Sequence, residues 1–185
     1  GYGNSIRKVM EQKKNVPGIE GVVADLIKVD QRYETAIETA LGGSIQNIVT
    51  ENEDTAKELI EYLKKNRFGR ATFLPLTSVG GRGGFAKPEA LKEKGAIGLA
   101  STLIRADKKY DRVVQHLLGR VLVAEHIDDA IRIARKYKHS IFIVTLEGES
   151  LSPGGSMTGG AFRNSSNLLG RKRELTELEE NVQKM

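Results

Sequence analysis

One order of elements occurs twice in this chain, and it limits the fold more than any single motif does. Tyr33, Ile37, Leu41 and Gly42 are spaced as Tyr110, Val114, Leu118 and Gly119 are. Each set reads as an amphipathic helix with one apolar stripe, stopped by a glycine just past its last turn. An apolar strand follows in each copy, at 45–49 and at 121–124. A helix comes next, opened by acidic residues at Asp54 and at Asp128 and Asp129, where negative charge complements the helix dipole. A buried strand closes each copy, at 71–74 and 141–144. Spacings differ by a few residues, so the pattern is a diverged duplication and not a uniform array. It predicts an α+β fold of two pseudo-repeated mixed α/β subdomains.

The rest of the chain is arranged around these copies. A short helix over 4–14, capped by Asn4 or Ser5, is broken by Val16, Pro17 and Gly18. A strand is expected near 21–27. The helix over 55–66, opened by Asn52 or Asp54, should turn Ala56, Leu59, Ile60 and Leu63 inward. Gly80, Gly81, Arg82, Gly83 and Gly84 interrupt the pattern, and 77–95 reads as a flexible linker or insertion. Towards the C-terminus, Leu168, Leu175, Leu178, Val182 and Met185 fall on an a/d seam, with Glu174, Glu177, Glu179, Glu180 and Lys184 on the remaining face. The seam spans barely two heptads. Unless it is a plain surface helix, its apolar stripe implies a continuing coil or a partner, and the helix at 4–14 is the natural partner. The expected division is therefore 1–15, the end of an incoming coil helix; 16–76, the first subdomain; 77–95, the linker; 96–164, the second subdomain; and 165–185, the start of a returning coil helix.

Composition excludes several classes of function. The 185 residues hold no cysteine, which removes thiolate chemistry and disulfides and fits a reducing, cytoplasmic setting. No apolar run approaches the roughly 18 residues of a membrane span. The N-terminus carries neither an initiator Met nor a signal-peptide pattern, as expected of a piece of a longer protein. His116, His126 and His139 match no zinc spacing, so no metal and no cofactor is expected. The carboxylate clusters sit mainly at helix starts, and no nucleophile elbow occurs, so the chain is not expected to be an enzyme. A net charge of +5 serves solubility or weak attraction to a polyanion. Basic residues gather at Arg7, Lys8, Lys13 and Lys14; at Lys64, Lys65, Arg67 and Arg70; at Arg105, Lys108, Lys109 and Arg112; and at Arg163, Arg171, Lys172 and Arg173. The absence of Trp argues against base-stacking platforms.

The most unusual stretch is Ser152 to Gly160. Gly154 and Gly159 have the separation of a phosphate loop, but Gly160 and Ala161 stand where its Lys and Ser/Thr would be. Two readings remain, a flexible loop and a place where another backbone approaches closely. On the second, Ser156, Met157 and Thr158 form a short edge strand between two glycine pairs, open to a second strand.

Four segments, in order, resemble the hinge domain of bacterial structural-maintenance-of-chromosomes (SMC) proteins. They are 68–76 (FGRATFLPL), 143–148 (IVTLEG), 151–160 (LSPGGSMTGG) and 168–175 (LLGRKREL). The third looks like the family's glycine signature. The resemblance covers nearly the whole chain except 77–95. It implies two pseudo-symmetric subdomains flanked by coiled-coil helices. It also implies a homodimer joined head to tail at two equivalent interfaces, where a strand edge near the glycine signature meets the first subdomain of the other copy. The hinge would then lie midway along a nucleoid-associated ATPase that organises and segregates chromosomes. Gly154, Gly155, Ser156, Met157, Thr158, Gly159 and Gly160 become the interface candidates. DNA binding at the hinge–coil junction is a family theme, with Lys13, Lys14, Lys64, Lys65, Arg171, Lys172 and Arg173 as candidates by charge and location. The rival expectation is a stand-alone nucleic-acid-binding α/β domain whose dimerisation is incidental.

Overall fold

The computed structural model describes residues 2–81, 83–161 and 168–184. Arg82, Arg163 and Met185, named above, lie outside the described residues, as do residue 1 and the expected boundaries at 164 and 165. In chain order the helices are α1 (Asn4–Glu11), the single turn α2 (Val23–Leu26), α3 (Glu34–Leu41), α4 (Glu53–Asn66), α5 (Asp111–Leu118), α6 (Ile127–Lys136) and α7 (Leu168–Lys184). The strands are β1 (Ile19–Val22), β2 (Ile27–Val29), β3 (Ile48–Thr50), β4 (Phe73–Pro75), β5 (Ala96–Leu99), β6 (Ile104–Ala106), β7 (Val121–Ala124), β8 (Phe142–Thr145), β9 (Ser150–Leu151) and β10 (Met157–Thr158).

The chain forms two compact units, and neither is contiguous. Unit 1 comprises Gly1–Ile27, Gly43–Arg82 and Ala106–Leu117; unit 2 comprises Lys28–Gly42, Gly83–Arg105 and Leu118–Met185. The expected division at 16–76 and 96–164 treats each half of the sequence as one body. Instead α3, from the first copy, belongs to unit 2, and nearly all of α5, from the second copy, belongs to unit 1. Periodicity identifies an amphipathic helix but not the sheet it covers, so a sequence-contiguous split cannot see this exchange.

Each unit contains the same three-strand arrangement. In unit 1, β1 runs antiparallel to β3 and β3 parallel to β4. In unit 2, β5 runs antiparallel to β7 and β7 parallel to β8. The parallel pairs need crossovers, which α4 and α6 supply. Both antiparallel pairs carry an irregularity in register, between Ile19 and Gly21 and between Ala96 and Gly98. Beyond β8, unit 2 adds β9 and β10, giving the order β10-β9-β8-β7-β5. A separate two-stranded sheet joins β2 and β6.

The unit 1 core gathers Ile6, Val9, Val16, Val22, Ile48, Leu59 and Leu63. The apolar face of α1 is therefore covered by its own unit, and α1 packs on α4. This corrects the expectation that α1 serves as the partner of the C-terminal seam. Its N-cap is Gly3, not Asn4 or Ser5. Those side chains are engaged elsewhere: the Ser5 hydroxyl donates to the Arg70 carbonyl at 2.7 Å and the Asn4 amide to that of Phe68 at 3.4 Å.

The unit 2 core is built from Leu122, Ala124, Ala130, Ile133, Ile143 and Leu151, with Ala90 fully buried among them. Ala90 lies in a 3-10 segment, Pro88–Lys92, and Phe85 and Leu91 pack on the same core. Val79 is buried in the turn after β4, its N–H bonded to the Pro75 carbonyl at 2.9 Å. Much of 77–95 is thus folded structure, contrary to a flexible linker. The glycines of this stretch stand beside four apolar residues that pack, Val79, Phe85, Ala90 and Leu91, and a proline suited to open a helical turn.

Candidate interaction surfaces

The glycine stretch forms a hairpin at the end of the unit 2 sheet. Met157 faces Leu151 and Thr158 faces Ser150 across an antiparallel pair. The turn closes through Ser152 N–H to the Ser156 carbonyl and Gly155 N–H to that of Ser152, both at 2.9 Å. Gly154 N–H anchors the turn to the His139 carbonyl at 2.8 Å. Every residue from Gly154 to Gly160 is exposed, and Met157 is 52% exposed although its neighbour on β9, Leu151, is buried. An outermost strand with one free row of backbone groups and an uncovered Met can accept another strand.

The four glycines differ in what requires them. Gly154, Gly155 and Gly160 have φ of +97°, +104° and +136°, a region that disfavours a Cβ whatever surrounds it. Gly159 does not; a Cβ there would press on the flexible Glu149 side chain at 3.1 Å. Three of the glycines therefore have a local backbone reason within this chain.

A second edge lies in unit 1. The sheet order β1-β3-β4 leaves β4 outermost, whereas its counterpart β8 carries β9. Beside β4 lies an open groove of about 480 Å³, lined by Ala56, Ile60, Ala71, Phe73 and Pro75, with Glu53, Lys57, Glu61 and Lys64 around it. Ile60 was expected to face inward; it is 45% exposed. Leu59 and Ile60 are adjacent, hence about 100° apart on the helix, and Leu59 takes the core. That surplus width of the apolar stripe was the available sign of a second face.

The basic candidates fall into two groups. In unit 1, Lys13 and Lys14 are exposed just past α1, and Lys64 and Lys65 are exposed in the last turn of α4. In unit 2, Arg171 is exposed, Lys172 is half-buried with its amine pulled down by burial, and Arg173 is engaged by Glu34 and Glu177. Two Arg173 nitrogens donate to carboxylates within the protein, which weakens it as a phosphate ligand. Among the described residues, no cluster of three or more His, Asp or Glu is placed to hold a metal ion, and no helix is long and apolar enough to cross a membrane. Along α7, Leu175, Leu178 and Val182 are 61%, 61% and 67% exposed.

Among the described residues, β4 and β10 each end a sheet and α7 carries an exposed apolar seam. Comparison with known proteins gives the family. Residues 16–134 match the family model for the flexible hinge domain of SMC proteins, and the chain belongs to that family. It is 44% identical over 188 residues to the chromosome partition protein Smc of Bacillus subtilis, an alignment covering 100% of this chain and 16% of that protein. The chain thus spans a small part of the relative's length. Among solved structures, the asymmetric dimer of the Geobacillus stearothermophilus SMC hinge domain superposes with a TM-score of 0.89 at 41% identity, covering 100% of this chain and 75% of that one. The Pyrococcus furiosus SMC hinge domain gives a TM-score of 0.69 at 33% identity over 90% of this chain and 88% of that one.

Proposed function

We propose that this chain is the homodimerisation hinge of a chromosome-partition SMC protein. Two copies join head to tail, the β10 edge of each meeting the β4 edge of the other. The single observation that carries this reading is the mismatch between the repeats: unit 1 ends at β4, where its counterpart in unit 2 is covered by a further strand. A strand from a second copy would occupy the vacant place, with Met157 entering the groove lined by Ile60 and Phe73. Because each copy owns one edge of each kind, two equivalent interfaces form at once and close a two-fold ring. The hinge relative from Geobacillus stearothermophilus was solved as an asymmetric dimer, which supports self-association of this chain. In the intact protein the hinge would link two ATPase protomers through their coiled-coil arms, of which α7 is the returning one, and act at the nucleoid. Exposed lysines around α1 and α4 would add weak, sequence-independent contact with DNA phosphates.

Sedimentation equilibrium at low micromolar concentration tests the dimer, beside Met157→Asp and Ile60→Asp. Both side chains are exposed, so neither variant removes core packing. A dimeric wild type with two folded, monomeric variants is expected. A monomeric wild type would sink the reading and favour a stand-alone nucleic-acid-binding domain.

A further inference from the structure

The root of α7 is fastened to unit 2 by two acidic side chains of one helix. Glu34 and Glu38 lie one turn apart on α3, both turned towards α7. Like charges at this spacing repel and destabilise an isolated helix, and Glu34 is buried to 3% exposure, so the pair requires compensation. The first residues of α7 provide it. Glu38 accepts the N–H groups of Leu168 and Leu169, the first two described residues of α7. Glu34 pairs with the Arg173 guanidinium, which also donates to Glu177 at 3.1 Å. Between these two points Leu169 and Gly170 are buried, whereas 174–183 are exposed throughout. Burial pushes the Glu38 carboxyl above the ordinary range and the charge of Glu34 adds to this; the two N–H groups and Arg171 pull it back.

We infer that Glu34 and Glu38 form a two-point clamp that fixes the exit direction of α7, making them the positioning residues for the returning arm. The clamp itself follows from these contacts; its role in aiming an arm rests on the proposed hinge reading. A helix pinned at both ends of its first six residues cannot pivot on a single bond. The exposed part of α7 beyond Arg173 extends about 16 Å at 1.5 Å per residue, so a small tilt at the root becomes a large swing of the arm. Force on the arm would pass to α3, and through Ile37, which is fully buried, into the body of unit 2.

The test uses the whole 185-residue chain, which has no cysteine, so two can be placed at will. Spin labels at Asp128→Cys in α6 and Glu180→Cys in α7, in chain diluted with excess unlabelled chain so that pairs within one copy dominate, report the distance distribution within unit 2. Amide hydrogen exchange reports the N–H groups of Leu168 and Leu169. With the native clamp a single narrow distribution and protected amides are expected. Glu38→Ala should speed exchange of those two amides about tenfold or more, the loss of a charge-assisted bond. Glu34→Gln combined with Glu38→Ala should broaden the distances. Glu38→Gln, which keeps an acceptor oxygen, should hold most of the protection. Unchanged distances and exchange in a double variant with native circular dichroism would overturn the clamp. Sedimentation of the same samples separates the two claims: a monomeric protein with a narrow distribution refutes the hinge reading and leaves the clamp standing.

Discussion

Gly18 and Gly95 hold the same place in the two repeats. The carbonyl of each accepts the N–H of the residue that follows the central strand, Glu51 and Glu125, at 2.8 Å. A Cβ at Gly18 would overlap the Thr55 hydroxyl, and one at Gly95 would overlap the Asp129 carboxyl. Asp129 cannot easily swing clear, since it is buried and bonded to Arg132 at 3.1 Å. Gly95 also has a φ of +83°. Gly95→Ala should therefore cost about 3 kcal/mol, from overpacking together with left-handed backbone strain, as read by urea denaturation. A loss below about 1 kcal/mol, the scale of an ordinary substitution, would mean the side chain relaxes. Glu20 offers a pH readout. Burial alone would raise its carboxyl, but the Lys109 amine at 2.7 Å and the Tyr110 hydroxyl at 2.9 Å outweigh it and hold the carboxyl below the ordinary range. A carboxyl lower in the folded than in the unfolded chain stabilises the fold above its unfolded value, and that stability is lost as pH falls through the folded one. Tyr110→Phe should cost about 1 kcal/mol near neutral pH. It should also move the Glu20 titration upward by NMR, so that the acid-side loss becomes smaller and is complete at a higher pH. An unmoved titration would show the hydroxyl contributes nothing.

Helix starts show how far the repeats have drifted. The Asn52 side chain caps α4 by accepting Thr55 N–H at 2.9 Å. At the matching place before α6 stands His126, with extended backbone and no side-chain cap bond. Asn52→Ala should lower stability by about 1 kcal/mol, and His126→Asn should raise it by some fraction of that, in paired thermal melts. If His126→Asn destabilises the fold, the imidazole has a role the cap argument omits. This is the level at which the sequence was most legible. Apolar periodicity and glycine stops located α3, α4, α5, α6, β7 and β8 closely, because those signals are local. It also read Ser156 to Thr158 as a possible edge strand, because alternation between glycines is local too. The exchange of α3 and α5 between units was hidden, since a helix stripe carries no address. The β4 edge was equally hidden: strand 71–74 looked like any closing strand, and only the fold reveals that nothing among the described residues covers its far side.

For the proposed dimer, charge and geometry together set how the proposed DNA contact is tested. Lys13, Lys14 and Lys65 are exposed and do not line the groove at β4, whereas Lys64 does. Replacing Lys13, Lys14 and Lys65 by Ala should therefore weaken binding without splitting the dimer. Each phosphate contact contributes close to one unit to the slope of log affinity against log salt. Loss of three per copy should flatten that slope by about three per engaged copy, equally for unrelated duplex sequences, as measured by fluorescence anisotropy. Ile60→Asp tests the other half of the argument. It leaves those three lysines in place but separates the copies, so binding to a duplex long enough for both should fall by avidity alone, about a hundredfold. Binding that survives monomerisation unchanged would place the nucleic-acid contact within one copy and make dimerisation incidental to it.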